Sequence, residues 1–369
     1  MSVQAVILVG GKGTRLQPLT TERPKPIVSL VDRPFMAYML EWVASHGITD
    51  VIMCCGFLPD ALQEVLGDGS RYGVSLTWVI EPDPRGTAGA LKMAEEHIDG
   101  RFVMLNGDVL TDIDLGAQIR QHEETGATGT LGLVPVEDPT AYGLVRVHDD
   151  NRVSGFLEKP DPAEIDTDLI SAGVYVLEPS VLDMIPPDRM VSIEREVWPR
   201  LVDDGLYGYA HRDAYWMDIG TPERYLEGTA DILAGRVHTR VAERLRDGGI
   251  DATATVGTNL DLSPRALVDA RATIGDGVRI GDGSVVGPDV TIGDDVVLEN
   301  AVVLAGARIG AGARLRDCVV GEQAEIGPNV RLSGATMVGE GAVIGANNAL
   351  AHGIRVMPRI AIAADAIRF

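Results

Sequence analysis

The chain is expected to hold two architectures in tandem: an α/β domain with a mostly parallel sheet, then a left-handed parallel β-helix of hexapeptide repeats. Three observations lead there. The 369 residues exceed what one ordinary core accommodates, so two domains are expected. Up to about residue 235, short β-rich runs alternate with stretches of helical spacing. From about residue 256, apolar residues recur every sixth position. The change of pattern divides the chain into 1–235, a linker at 236–255, and 256–369.

In the first part, Gln4–Val9 reads as a buried strand, its apolar run Ala5 to Val9 cut off by Gly10-Gly11-Lys12. That run is too short for a signal-peptide core, and no later stretch approaches membrane-spanning length. Val51–Cys55, Ser75–Ile80 and Phe102–Asn106 read as further buried strands. Between them Pro34–His46, Asp60–Leu66 and Ala88–His97 carry helical spacing. Strand-helix alternation of this kind implies a Rossmann-like, largely parallel sheet covered on both faces. Ligands of such sheets bind beyond the carboxyl ends of the strands, where Gly10–Arg15 and Gly107-Asp108 both fall. Thr221–Leu245 is expected to be mostly helical, with Pro222 in the first turn, and Asp247-Gly248-Gly249 a hinge or turn.

In the second part, Val256, Leu262, Val268, Ile274, Ile280, Val286, Ile292, Leu298 and Leu304 are spaced by six. After one-residue slips the beat resumes through Ile309, Leu315, Val320, Ile326, Leu332, Val338 and Ile344. Each would point into a narrow prism, with small residues at the corners. About sixteen hexads at three per coil give roughly five coils. Hexapeptide solenoids wind left-handed, against the usual right-handed crossover.

Composition narrows the function. Hydrophobic content of 45% and charged content of 23% suit a soluble globular protein. A formal charge of −22 argues against nucleic acid or an anionic membrane as partner. Yet residues 1–33 carry Lys12, Arg15, Arg23, Lys25 and Arg33 against Glu22 and Asp32 alone. A basic island in an acidic chain is either a site for a polyanion or a set of solvated surface charges. Three cysteines, Cys54, Cys55 and Cys318, form no disulfide framework or metal-ligand spacing, which points to the cytoplasm.

The island surrounds the run Leu-Val-Gly-Gly-Lys-Gly-Thr-Arg-Leu from Leu8, followed by Pro24-Lys25-Pro26. Gly10, Gly11 and Gly13 free the backbone to turn N–H groups onto phosphate oxygens. The run is not a Walker loop, and Leu16 stands where a dinucleotide fingerprint needs its third glycine. Together with Gly86-Thr87-Ala88-Gly89, Asn106-Gly107-Asp108, Phe156 to Pro160, Ala172-Gly173, Ser192 to Glu196 and Trp216 to Gly220, it resembles the signature of the nucleotide-diphosphate-sugar pyrophosphorylases. Within that group the chain is most similar to mannose-1-phosphate guanylyltransferases with a C-terminal left-handed β-helix, over nearly its whole length.

The resemblance implies attack of a sugar-phosphate oxygen on the α-phosphorus of a nucleoside triphosphate. Two polyanions must meet, so neutralising charge and aligning the groups are the main tasks. By resemblance, Arg15 contacts the β/γ-phosphates and Lys25 lies near the α-phosphate, while Lys12 occupies a variable position. Gly10, Gly11, Gly13, Thr14, Gly86, Thr87, Asn106 and Gly107 are implied to line the nucleotide site. Mg²⁺ is implied as cofactor on Asp108 and Asp218, in keeping with the cation's preference for a few carboxylates, phosphates and water. Asp218 also reads as a turn or cap residue before the Thr221-Pro222 helix start. Lys159 resembles the ligand of the sugar phosphate, and Gly143, Glu158, Gly173 and Glu194 match sugar-pocket positions. Glu194 equally reads as an acidic first-turn residue of a helix.

Glu81 stands where thymidylyl- and uridylyltransferases often have glutamine. Guanine offers two adjacent donors, N1–H and N2–H₂, which suit a carboxylate. GTP is therefore favoured if Glu81 is not simply exposed, and mannose 1-phosphate follows from the resemblance alone. Glucose 1-phosphate with dTTP, UTP or GTP is the alternative, and a non-catalytic regulatory subunit a rival of another class. An acyltransferase β-helix is disfavoured, because His352, the one histidine after residue 238, lies beyond the last clear hexad. A homo-oligomer assembled through the β-helix is expected.

Overall fold

A computed structural model describes residues 3–368, which fall into two compact units. The first comprises the described residues through Gly11 together with Met36–Met217. The second comprises Lys12–Phe35 and the described residues from Asp218 onward. The division is thus discontinuous: the basic segment 12–35 groups with the C-terminal part, and the chain passes between units at Gly11-Lys12, Phe35-Met36 and Met217-Asp218.

The first unit is built on one nine-stranded sheet. Its strands are β1 (Gln4–Leu8), β2 (Asp50–Cys55), β3 (Ser75–Ile80), β4 (Phe102–Asn106), β5 (Gly129–Pro135), β6 (Gly143–Val147), β7 (Val153–Glu158), β8 (Leu169–Leu177) and β9 (Leu206–Ala210). The spatial order runs β7-β6-β8-β4-β1-β2-β3, with β5 pairing β8 and β9. Helices α1 (Phe35–Ser45), α2 (Pro59–Leu66) and α3 (Gly86–Met93) connect the early strands. β3-β2-β1-β4 are parallel, as the strand-helix alternation implies. Beyond β4 the pattern changes: β8 runs antiparallel to β4, β5 and β6, and β6 to β7. The β6–β7 pair follows from its tight connection, since that loop is too short for a crossover helix. β1 is buried at Ala5, Val6 and Ile7, as a strand covered on both faces must be.

The second unit contains the β-helix, and its inward residues sort into three columns. Val256, Ile274, Ile292, Ile309, Ile326, Ile344 and Ile362 stack on one face through parallel pairs. Leu262, Ile280, Leu298, Leu315, Leu332 and Leu350 stack on the second. Val268, Val286, Val303, Val320, Val338 and Val356 form the third. Two expectations are corrected. Val303, not Leu304, occupies the prism, because strands Val297–Val303 and Arg314–Val320 run straight through a corner and absorb the one-residue slips. The beat also continues past Ile344 to Ile362, so His352 lies in a turn inside the coils.

Corner residues take left-handed backbone, for example Asp289, Asp295, Gly306, Gly312, Asn329 and Asn347. Gly, Asn and Asp tolerate that conformation best. Coil-to-coil spacing also excludes side chains after the isoleucine column: a Cβ on Gly275 would lie 2.8 Å from the Asp294 nitrogen. The segment expected to be a linker includes a helix, Val241–Arg246, after the longer helix Pro222–Leu233. Among the described residues, no helix is long and apolar enough to cross a membrane.

Candidate active site

In the first unit, the carboxyl ends of the four parallel strands form one rim. Val9 N–H bonds the Cys54 carbonyl at 2.8 Å, and Gly107 N–H bonds the Leu8 carbonyl at 2.9 Å, so β1, β2 and β4 end together. Gly107 must be glycine, since a Cβ would come within 2.4 Å of Val9 Cγ1 and 2.7 Å of the Leu8 carbonyl oxygen. Glu81 follows β3 on the same rim and is buried, which removes the reading of it as an exposed residue. Its Oε2 accepts from Arg85 N–H at 3.2 Å, and a Cβ on Gly10 would sit 3.1 Å from its Oε1. Burial pushes the Glu81 carboxyl above its ordinary value, opposed in part by the Arg85 N–H and charge. A carboxylate at the end of the glycine run can therefore meet a base that presents adjacent donors.

A second group in the same unit is linked through hydrogen bonds. Gly86 has φ +71°, and a Cβ there would lie 2.6 Å from the Val191 carbonyl oxygen. That carbonyl accepts from Ala88 N–H at 3.0 Å, fastening the start of α3 to the strand of chain before Ser192. Thr87 and Ser192 hydroxyls both donate to Glu194 Oε2, at 2.8 and 2.6 Å. Ser192 also accepts from Arg195 N–H and caps the helical turn Ile193–Val197, so Glu194 is at once a first-turn residue and a fixed acceptor.

Glu158 ends β7, paired across the sheet with Gly143, where a Cβ would lie 3.2 Å from Glu158 Oε2. Burial raises the Glu158 carboxyl above its ordinary value and the Glu194 charge adds to this, while Lys159 and Arg195 oppose it. Lys159 itself is exposed, in a left-handed turn at φ 53°, with its N–H on the Tyr142 carbonyl. Gly173 has φ +70°, and a Cβ would meet Asn106 Nδ2 at 2.8 Å. Asn106 in turn hydrogen-bonds the buried Tyr175 hydroxyl, which also pairs with Ser171 Oγ at 3.0 Å. Burial raises the Tyr175 phenol, and the charges of Glu194 and Glu158 raise it further. Asn106, Gly143, Glu158, Gly173 and Glu194 thus belong to one patch, to which Thr87 is tied through Glu194. Asp108, half-buried, follows Gly107 on the rim.

The second unit holds the rest. Leu16 N–H bonds the Gly13 carbonyl at 2.9 Å, and Thr20 Oγ1 donates to it at 2.7 Å. Gly13 sits at φ +61°, where a Cβ would lie 3.2 Å from Lys25 Cβ. Lys25 is buried, in the short turn Lys25–Ile27, while Lys12, Thr14 and Arg15 are exposed. Along the run 10–15, no N–H is bonded to a backbone carbonyl among the described residues, which suits an anion cradle. Arg15 and Asp218 both approach Gly220: a Cβ there would be 2.9 Å from Arg15 Nη2 and 3.1 Å from Asp218 Oδ2. Arg224 Nη1 donates to Asp218 Oδ1 at 2.6 Å. The basic island resolves into two kinds of residue. Arg23 and Arg33 pair with carboxylates, Arg23 with Glu322 and Glu340 and Arg33 with Asp32. Lys25 packs beside Gly13, and the Arg15 guanidinium lies near Gly220.

Sequence reasoning missed Tyr175, Ser171, Arg85 and Arg224. Tyr175 lies within the apolar run of β8 and reads there as core; only its polar neighbours reveal it. Among the described residues, no group of three or more His, Cys, Asp or Glu could hold a metal. The carboxylate oxygens of Asp108 in the first unit and of Asp218 in the second are each hard donors of the kind magnesium takes.

Comparison with known proteins places the chain in a family. Residues 4–235 match the family described as nucleotidyl transferase, and residues 262–368 match the GMPPB C-terminal domain. The mannose-1-phosphate guanylyltransferase of Mycobacterium tuberculosis is 39% identical over 294 residues, 75% of this chain and 80% of that protein. The mannose-1-phosphate guanylyltransferase catalytic subunit beta of Drosophila pseudoobscura pseudoobscura is 36% identical over 366 residues, 98% of this chain and 94% of that one. A crystal structure of HddC from Yersinia pseudotuberculosis complexed with GMP-PN superposes at TM-score 0.53 and 28% identity, over 61% of this chain and 97% of its own. The chain belongs to the nucleotidyl transferase family.

Proposed function

We propose that the protein is a sugar-1-phosphate nucleotidylyltransferase that makes GDP-mannose from GTP and mannose 1-phosphate and releases pyrophosphate. The observation that carries the choice of base is the buried Glu81 carboxylate at the end of the glycine run. The choice of sugar follows the relatives named as mannose-1-phosphate guanylyltransferases.

In this reading a phosphate oxygen of the sugar phosphate attacks the α-phosphorus in line. The bond from α-phosphorus to the bridging oxygen breaks, and pyrophosphate carries the electron pair away. The sugar phosphate is ionised at neutral pH, so no side chain need take its proton. The glycine-run N–H groups and Arg15 hold the β/γ-phosphates, the guanidinium by its two-pronged geometry. Lys25 places a point charge near the α-phosphate. Lys159 holds the sugar phosphate, while Glu158 and Glu194 accept from sugar hydroxyls. Magnesium, when bound to Asp108 and Asp218, would neutralise charge on both phosphate groups and help hold them together. The three cysteines are free and buried, which supports a reducing, cytoplasmic setting. Assembly into a homo-oligomer is part of the same proposal, and sedimentation of the intact chain tests it.

Pyrophosphate release is to be measured with GTP, ATP, CTP, UTP and dTTP against mannose, glucose and N-acetylglucosamine 1-phosphates in magnesium. Highest kcat/KM with GTP and mannose 1-phosphate is expected. A preference for dTTP or UTP would overturn the base assignment, and inactivity with every pair would favour a regulatory subunit.

A further inference from the structure

Leu304 is buried, although Val303 has taken its place in the β-helix prism. The segment Lys12–Phe35 accounts for this: Leu304 lines a crevice with Pro18, Leu19 and Val28. At the margin of that crevice Arg23 reaches two successive coils. Its Nη1 and Nη2 fork onto Glu322 Oε1 and Oε2 at 2.5 and 2.9 Å, and Nη2 also meets Glu340 Oε2 at 2.9 Å. One coil further on, Arg359 donates to Glu22 Oε2 at 2.8 Å. These contacts come from stacked turns, since Gly341 N–H bonds the Glu322 carbonyl and Arg359 N–H bonds the Glu340 carbonyl. The later part of the segment is tied as well. The Tyr225 hydroxyl donates to the Ser29 carbonyl at 2.5 Å, and Arg244 bridges Asp32 and Asp269.

We propose that Arg23 is a positioning residue for nucleotidyl transfer: clamped by Glu322 and Glu340, it fixes the segment that carries Arg15 and Lys25. The β-helix is then part of the catalytic apparatus as well as a scaffold. The inference rests on the roles proposed for Arg15 and Lys25. Arg23 stands between them in sequence and faces coils rather than the glycine turn. A forked guanidinium–carboxylate pair fixes orientation as well as distance, which a lysine cannot reproduce. Burial works against the Arg23 charge, and the hydrogen bonds and charges of Glu322 and Glu340 more than offset it, raising its pKa. Small displacements of groups that hold reacting phosphates are costly, on the order of 100-fold per ångström.

The test uses Arg23→Gln, Arg23→Lys and the double variant Glu322→Gln/Glu340→Gln in the full chain. The double variant leaves the 12–35 segment intact, and it decides the matter if Arg23→Gln fails to fold. Arg23→Gln and the double variant are expected to lower kcat/KM for GTP about tenfold or more, with KM for mannose 1-phosphate within about twofold. Amide hydrogen exchange should quicken in residues 12–35 but not in the prism, and Arg23→Lys should lie between. Unchanged kcat/KM for GTP in both variants would overturn the proposal. So would parallel losses for both substrates without faster exchange in 12–35. A wild type inactive with every substrate pair would remove the proposed function and the positioning role together, while the exchange data would still decide whether Arg23 clamps the segment.

Discussion

Glu81 and Tyr175 stood out unequally in the sequence, for a physical reason. A carboxylate directly after an apolar strand is noticeable by type, although its burial beside Gly10 shows only in the fold. A tyrosine within Leu169–Leu177 has nothing to distinguish it from core until Asn106 and Ser171 are found on its hydroxyl. Each residue makes a distinct claim. Glu81→Gln exchanges a paired acceptor for a mixed donor and acceptor. The kcat/KM ratio of GTP to UTP should fall about tenfold or more, the worth of one charge-assisted hydrogen bond. A ratio unchanged by this substitution would remove Glu81 from base recognition. Tyr175→Phe deletes only the hydroxyl that organises Asn106 beside Glu158 and Glu194. KM for mannose 1-phosphate should rise about fivefold, corresponding to about 1 kcal/mol.

The parallel strands and their helices could be read from apolar spacing because each is a local pattern, repeated with its own period. The antiparallel half of the sheet could not, since strand direction depends on which distant strands pair. The basic segment 12–35 shows the same limit at the scale of an element. Charge counting groups Arg23 and Arg33 with Arg15 and Lys25, yet the partners of Arg23 lie about 300 residues away, at Glu322 and Glu340. Asp32 is the buried carboxylate that holds the end of this element. Burial opposes its charge, but hydrogen bonds and charges from Arg33 and Arg244 prevail and place it below the usual carboxylate value. A depressed folded pKa gives stability that is present above the ordinary value of 3.8 and is lost as pH falls through the folded one. Asp32→Asn should therefore cost about 2–4 kcal/mol in urea unfolding at pH 7. The gap between variant and wild type should narrow as the pH is lowered beneath 3.8. A gap that stays constant with pH would show that the ion pair is not what Asp32 contributes.

Over the whole chain, two periodicities carry most of the fold and little of the chemistry. The hexad beat was legible as a prism, and the structure sharpened it into isoleucine-rich, leucine-rich and valine columns that continue to Ile362. What the beat could not disclose is that Leu304, which keeps its spacing, faces the segment bearing Arg15 and Lys25. The division of the chain follows the same logic, because residues 12–35 pack with the unit that contains the coils. Family membership accounts for nucleotidyl transfer, and the proposed site names the side chains that would perform it. The most direct test of that assignment is pyrophosphate release from GTP and mannose 1-phosphate by Lys25→Ala. Circular dichroism and the melting temperature would report its fold. A fall in kcat of about 1,000-fold is expected, with folding and sugar-phosphate KM preserved, as for loss of one preorganised charge at the reacting phosphate. Release within a few-fold of wild type would contradict the assignment of the glycine turn and Lys25 as the catalytic centre.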